Sequence, residues 1–359
     1  MRNRALPALF ATAALVLGTA AAAQADPPPP PPQPEVVGVG TEADQTLFNQ
    51  LSADYNASLA AAGDTTSARF YSWDQTGASP IVPKPGGSTI VRPDNGRTGL
   101  AALNDNTSST LDFDRSVMQP LLTDPTSDDF VALAVDAVSW AAPAGGNAPA
   151  NLSSADLFGI YDCAITNWNQ ITDIAGYSGP NARIVPVAPQ FAAGDPNGLD
   201  TYFQSDTATV FNGAVVTTTG SNRQPRLGGC VVDGPADNEG TDPVFSNPNT
   251  LVPYSAGRYA GQLNGHATTA DSPGKLTIRS IDGVSPVEYG ALNPDFTATN
   301  YGYLLEDVVR DAEWNGSADL QNILGPMGWV CNSATAQADL ASEGFQVLPA
   351  GACGSVVHS

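Results

Sequence analysis

The chain has 359 residues, with 36 Asp and Glu against 14 Lys and Arg and a formal net charge of −22. That length allows two lobes with cores of their own. A field of this sign repels nucleic acid and anionic membrane surfaces, which excludes both as expected partners and in itself accounts for solubility.

In chain order, Arg2 and Arg4 form a short basic region, Ala5 to Ala23 is apolar, and Ala23-Gln24-Ala25 reads as a small-x-small cleavage site. This is the layout of a secretory signal peptide over 1–25. No Cys stands directly behind the apolar run, so no lipid-modified N-terminal cysteine is expected. Nothing after it reaches the roughly 20 apolar residues that span a bilayer, so no membrane insertion is expected. Without that leader 12 Lys and Arg face 36 Asp and Glu, a still more acidic balance. Pro27 to Pro32, continued by Pro34, favours extended polyproline geometry, so 26–35 reads as a stiff spacer. The expected location is secreted and extracellular, with cell-wall association through that tract as one form of it.

Glu35 to Gly40 is an apolar run ending in glycine, predicted as a buried strand. Thr41, Glu42 and Asp44 then precede a periodic stretch through Leu47, Phe48, Leu51 and Tyr55, a helix that Thr41 would cap. Amides at such a helix start also suit an anion. Gly63 to Gly99 is predicted as loop, with Thr89, Arg92 and Arg97 placed to face a cleft. A short helix is expected over Gly99–Leu103 and a strand over Leu111–Ser116, with Arg115 at its end. Phe130–Trp140 reads as a buried parallel strand, Val- and Ala-rich with a single internal Asp. Leu152–Tyr161 is a helix whose Ser153 and Asp156 form a capping box. Strands follow over Arg183–Val187 and Leu251–Tyr254, with helices over Leu199–Phe203, Ser255–Leu263, Tyr301–Asp311 and Gln337–Glu343. Strands alternating with helices argue an α/β chain built around parallel sheets.

Cys163, Cys230, Cys331 and Cys353 make an even count in an exported chain, which reads as two disulfides with three connectivities open. No CxxC spacing occurs, and His266 and His358 lie far from any Cys, so neither a metal site nor a cofactor is expected. Two histidines, no GxSxG elbow and no HExxH helix leave no catalytic constellation. A carboxylate-pair glycosidase has no support from spacing. The chain reads as a binder and not as an enzyme.

The segment Asn151-Leu152-Ser153 through Ile160-Tyr161 to Ile165-Thr166-Asn167-Trp168-Asn169-Gln170-Ile171 resembles the phosphate-binding-protein family of ABC-transporter solute receptors. In that family a helix of pattern LSxxxLxxIY is followed by ITNWxxI. Val39-Gly40-Thr41, Leu111-Asp112-Phe113, Leu251 to Gly257 and the closing Gly344-Phe345-Gln346-Val347-Leu348-Pro349 match as well. The likeness looks closest to secreted proteins of high-GC Gram-positive bacteria. It implies a two-lobed periplasmic-binding-protein (type II) fold, each lobe a largely parallel sheet flanked by helices, with the ligand cleft between them. Lobe 1 would be 36–135 plus 256–359 and lobe 2 would be 136–255, with hinge closure as the working motion. The sequential pairing Cys163–Cys230 and Cys331–Cys353 keeps each disulfide within one lobe. The likeness also implies a monomer that captures a small solute, phosphate or another anion, for an ABC-transporter permease.

The ligand residues depart from the family pattern. Where the family has a GSGT-like turn beside an Arg, this chain has Gln190-Phe191-Ala192-Ala193-Gly194-Asp195-Pro196, and Pro196 carries no N–H. A carboxylate at Asp195 satisfies the helix-start amides itself and repels phosphate. At 4 Å two unit charges cost about 4 kcal/mol at an effective dielectric near 20, roughly a thousandfold in affinity. The first-lobe acid of the pattern falls at Val117. The ligand residues expected are therefore Thr41, Arg115, Ser116, Gly194 and Asp195, with Phe191, Trp73 and Trp140 as apolar walls. A solute other than phosphate is the first reading. A surface or adhesive protein keeping the fold without transport, and a phosphate binder with a reorganised site, are the alternatives.

Overall fold

The computed structural model describes residues 26–27, 35–117, 120, 124–188, 229–235, 238–269 and 271–358. The apolar run at the start forms β1 (Glu35–Gly40), and α1 (Gln45–Ala62) follows, closed by Gly63 in the left-handed region at φ 69°. Helix α1 starts later than its sequence suggests. Its cap position is Asp44, without a side-chain hydrogen bond, while the Thr41 hydroxyl accepts the Ala43 N–H at 3.4 Å. The stretch predicted as loop contains β2 (Arg69–Ser72), whose Phe70 lies beside Val36 in parallel register. Four residues are too few for a periodic signal; the strand exists because its alternate side chains, Phe70 and Ser72, are buried. Helix α2 (Gly96–Asp105) and β3 (Phe113–Ser116) come next, then the long β4 (Asp128–Pro143).

Strand β4 is where the sequence expectation of a parallel strand fails. It runs antiparallel to every strand it pairs with. A strand buried on both faces reads as the same apolar run whichever way its neighbours point. After it come β5 (Asn151–Leu152), α3 (Ser154–Tyr161), β6 (Val185–Ala188), β7 (Val232–Asp233), β8 (Thr250–Ser255) and α4 (Ala256–Gly261). The capping box of α3 is present: Ser153 Oγ accepts the Asp156 N–H, and Asp156 Oδ2 accepts the Ser153 N–H, both at 3.1 Å. The remaining strands are β9 (Leu276–Ile281), the hairpin β10 (Val287–Glu288) and β11 (Ala291–Leu292), β12 (Gly302–Arg310), β13 (Gln346–Val347) and β14 (Val356–His358).

Strand β12 corrects a second expectation, since Tyr301–Asp311 was predicted helical. The segment is wedged antiparallel between β3 and β4, with Leu305 to Val309 all buried. Pairing on both edges overrides the helix propensity of Leu, Glu and Arg. Helices cover Ala334–Ser342 near the predicted Gln337–Glu343, while the predicted helix Leu199–Phe203 lies outside the described residues.

Among the described residues twelve strands join one sheet, with the path β2-β1-β3-β12-β4-β8-β6-β7. Both ends of that path are parallel, β2-β1-β3 and β8-β6-β7, and the middle is antiparallel. Strand β4 links them. Its residues up to Ala137 pair with β12, and from Val138 onward with β8. A large apolar cluster runs under both halves, with a smaller one around Trp73, Leu103 and Phe130 and another around Val187, Phe245 and Tyr254. Disulfides join Cys163 to Cys230 and Cys331 to Cys353.

Candidate ligand-binding site

Strands β1 and β3 are parallel neighbours with Gly40 opposite Arg115, so Thr41 and Ser116 leave the sheet at one edge. Strand β2 ends there too, at Ser72, followed by Trp73 and Asp74. Helix α2 starts over the same edge, where Asn95 Oδ1 accepts the Thr98 N–H at 2.8 Å. In open α/β sheets ligands bind outside the carboxyl ends of the strands, so this edge is the candidate site. Gly40 is required: its φ is +133°, and a Cβ there would lie 2.3 Å from the Arg115 carbonyl oxygen.

The structure brings Thr41, Arg115 and Ser116 together, all of them buried. Thr41 donates its backbone N–H to the Arg115 carbonyl at 3.1 Å. The Arg115 guanidinium is engaged by the protein itself. Nη2 donates to the Thr41 carbonyl at 2.9 Å, Nη1 donates to the Trp73 carbonyl at 3.0 Å and to Ser72 Oγ, and Nε lies 3.2 Å from Asp44 Oδ1. The guanidinium carbon also sits 5.8 Å from the centre of the Phe48 ring. Gly194, Asp195 and Phe191 lie outside the described residues.

Carboxyl groups crowd this cation. Burial pushes Asp44 up to about 7, against the pull of Arg115. Asp114 and Asp307 are raised well above the ordinary carboxylate range, chiefly by burial, and the repulsion of Asp44 adds to both. Neither oxygen of Asp114 or of Asp307 has a hydrogen-bond partner, and Asp307 sits directly across from Arg115 in the sheet. Glu306 is raised to about 8 by burial. An edge with one engaged guanidinium and several carboxyls that burial pushes towards their neutral form offers a dianion no free positive charge. Among the described residues no group of three or more His, Cys, Asp or Glu could hold a metal ion.

The other residues singled out from sequence fall elsewhere. Trp140 is a core residue whose Nε1 donates to the Ser280 carbonyl at 3.0 Å. Arg97 pairs with Asp124 at 2.6 Å, and Thr89 is exposed. His266 Nδ1 lies 2.8 Å from Glu343 Oε1, and Glu343 also pairs with Arg258. Arg92 is buried, with Trp73 beneath it and the Asp26 carboxylate across from it. Sequence reasoning also passed over Asp136, the lone acid in the apolar run Phe130–Trp140, which was the available signal. It accepts hydrogen bonds from Ser255 Oγ and Tyr303 Oη, both at 2.5 Å, and from the N–H groups of Ala137 and Gly257 at 2.6 and 2.8 Å. One carboxylate thus fastens β4 to the end of β8 and the start of α4 at the place where β4 changes partners.

No family model matches the chain, and no curated protein matches it in sequence. Solved structures do match in shape. An ABC-type phosphate transport receptor from Vibrio cholerae is 12% identical, with 88% of this chain and 100% of that chain covered and a TM-score of 0.52. A putative phosphate ABC transporter substrate-binding protein with bound phosphate from Clostridium perfringens is 11% identical over 88% and 100%, with a TM-score of 0.56. A phosphate-binding protein from Stenotrophomonas maltophilia is 14% identical over 89% and 92%, with a TM-score of 0.50. At these identities the likeness shows the fold: the chain has the α/β architecture of these receptor structures. Among the described residues no helix is long and apolar enough to cross a membrane.

Proposed function

We propose that this chain is a secreted solute-binding protein of the phosphate-receptor type, with a ligand other than free phosphate. The shared architecture supports the receptor role, and the sequence motifs from Asn151 to Ile171 point to the same family. In this reading residues 36–135 with 256–359 form one lobe and 136–255 the other. The signal peptide places the protein outside the cell, where the two disulfides persist. Its partners are a small solute and an ABC-transporter permease.

The observation that carries the altered specificity is the state of Arg115. A phosphate site needs donors aimed outward, and here all three guanidinium nitrogens face Thr41, Ser72, Trp73 and Asp44 within the protein. The buried carboxyls at Asp44, Asp114 and Asp307, pushed towards their neutral form, add no positive charge to replace it. The matching turn of the second lobe supplies Asp195 and Pro196 in place of hydroxyl and amide donors. Thr41, Ser116 and Gly194 remain as ligand contacts in this reading.

The test is thermal melting of the secreted chain, disulfides intact, against phosphate, sulfate, sugars, amino acids and small carboxylates. Saturation at 100 times Kd adds about 2.7 kcal/mol, which is a shift of several degrees. A shift with a solute other than phosphate is the expected result. A shift with phosphate restores the receptor's usual ligand and refutes the altered specificity. No shift with any solute refutes the receptor role and favours a surface protein that keeps the fold.

A further inference from the structure

Beside the candidate site lies an anion socket already filled by the chain itself. Arg92 forks onto Asp26: Nη1 donates to Oδ1 and Nη2 to Oδ2, each at 2.8 Å. The Asp74 N–H donates to the same Oδ1 at 3.3 Å. This is the bidentate arrangement by which a guanidinium recognises a carboxylate. The floor of the socket is buried and pre-set. The Arg92 side chain is 3% exposed, its Nε donates to the Ala78 carbonyl at 2.9 Å, and Nη1 donates also to the Asp74 carbonyl at 2.7 Å. Its guanidinium carbon lies 5.4 Å from the centre of the Trp73 ring. Gly77, at φ +139°, leaves the room: a Cβ there would lie 2.8 Å from Arg92 Nη2 and 3.2 Å from Asp26 Oδ2.

The occupant is held differently from the floor. The Asp26 side chain is 34% exposed, and its residue reaches the fold through the proline tract, seven residues of sequence separating Pro27 from Glu35. The Trp73 Nε1–H, on the ring beneath the guanidinium, is buried and has no partner. A second donor next to a forked cation suits a ligand with more acceptor atoms than one aspartate side chain presents. The socket also adjoins the ends of β1, β2 and β3. Trp73 accepts from Arg115, the Asp74 carboxyl accepts from Asn49 Nδ2 at 2.9 Å, and Gln75 donates its N–H to Gln45 Oε1 at 3.1 Å.

We propose that Arg92, Trp73 and the Asp74 amide form a binding site for the carboxylate of a small organic acid, which Asp26 fills in cis as a tethered stand-in. The inference rests on the receptor reading only for the biological use of the socket. A carboxylate, not phosphate, is the class that fits: the guanidinium fork is already matched by a carboxylate here, and the buried Asp74 carboxyl stands close by against the second negative charge that phosphate would bring. Held by a short tether, Asp26 competes as an intramolecular ligand, so a free acid binds the native chain weakly and the released socket about tenfold better or more.

Calorimetric titration of the secreted chain and its Asp26→Asn variant with acetate, succinate, sulfate and phosphate tests this. The expected result is carboxylate binding at least about tenfold tighter in Asp26→Asn than in wild type. Arg92→Lys in the same background, which keeps the charge but not the fork, should remove the gain. Equal carboxylate affinity in both chains, or none in either, overturns the proposal, and tighter binding of sulfate or phosphate overturns the carboxylate assignment. The receptor reading fails separately. A wild-type chain that responds to a non-carboxylate solute while Asp26→Asn gains nothing removes the socket and leaves the receptor. A carboxylate gain in a variant whose wild type answers no solute does the reverse.

Discussion

Arg115 and Arg92 show how far single residues could be read ahead of the structure. Sequence put Arg115 first because it follows a strand end, and Arg92 lower because it sits in a loop. The structure places Arg115 among protein acceptors and Arg92 against a carboxylate that arrives from far upstream. Spacing along a chain cannot report such a long-range partner. Nor can composition tell which acids are buried. Glu306 illustrates the consequence. Its folded value is raised to about 8 from an ordinary 4.5. Its neutral form therefore contributes stability that is full below pH 4 and is lost as pH rises through 8. Glu306→Gln should leave stability near wild type at pH 4 and raise it at pH 9, by up to about 5 kcal/mol in urea unfolding. A variant less stable than wild type at both pH values contradicts the buried neutral acid. Gly99 gives a steric test. A Cβ there would lie 1.8 Å from Asp114 Oδ1, so Gly99→Ala should cost about 1–3 kcal/mol. Asp114→Ala should relieve part of that cost in a double-mutant cycle, and additivity would refute the contact.

Among the elements, legibility followed the strength of local signals. The α3 capping box was visible in Leu152-Ser153-Ser154-Ala155-Asp156 and is present in the structure, because both partners lie three residues apart. Ser153→Ala should cost about 1 kcal/mol, read as a lowered urea midpoint with unchanged slope. No change would mean that tertiary packing alone holds the helix. Strand β12 was misread because Leu, Glu and Arg suit a helix, and what decides its state is pairing with β3 and β4, which are far away in sequence. Strand β4 was found but given the wrong direction, since burial on both faces hides orientation. The disulfide loops separate their cysteines by 67 and 22 residues. In the chain-entropy account their removal costs about 4 and about 3 kcal/mol, so Cys163→Ser with Cys230→Ser should destabilise the more.

For the molecule as a whole, the α/β class and the receptor-like architecture were legible from motifs spread along the chain, while the ligand chemistry was not. Most of the matching turn that should report it, Gln190 to Pro196, departs from the family, and the edge at β1 and β3 is assembled from distant segments. The buried acids also set a global behaviour. Asp74 is raised to about 6, Asp44 and Asp339 to about 7, and Glu306 to about 8, all by burial. Each folded value lies above its unfolded one, so each contributes stability at low pH that is lost as pH rises from about 4 to 8. The melting temperature should therefore fall between pH 5 and pH 8, and a rise over that range contradicts the account. The proposed change of specificity is tested most directly by calorimetric titration of the disulfide-intact chain with inorganic phosphate at pH 8, where phosphate is mainly a dianion. No saturable heat is expected below about millimolar phosphate. Saturation at micromolar concentration would contradict it, and would mean that Arg115 turns outward to a ligand in spite of its partners here.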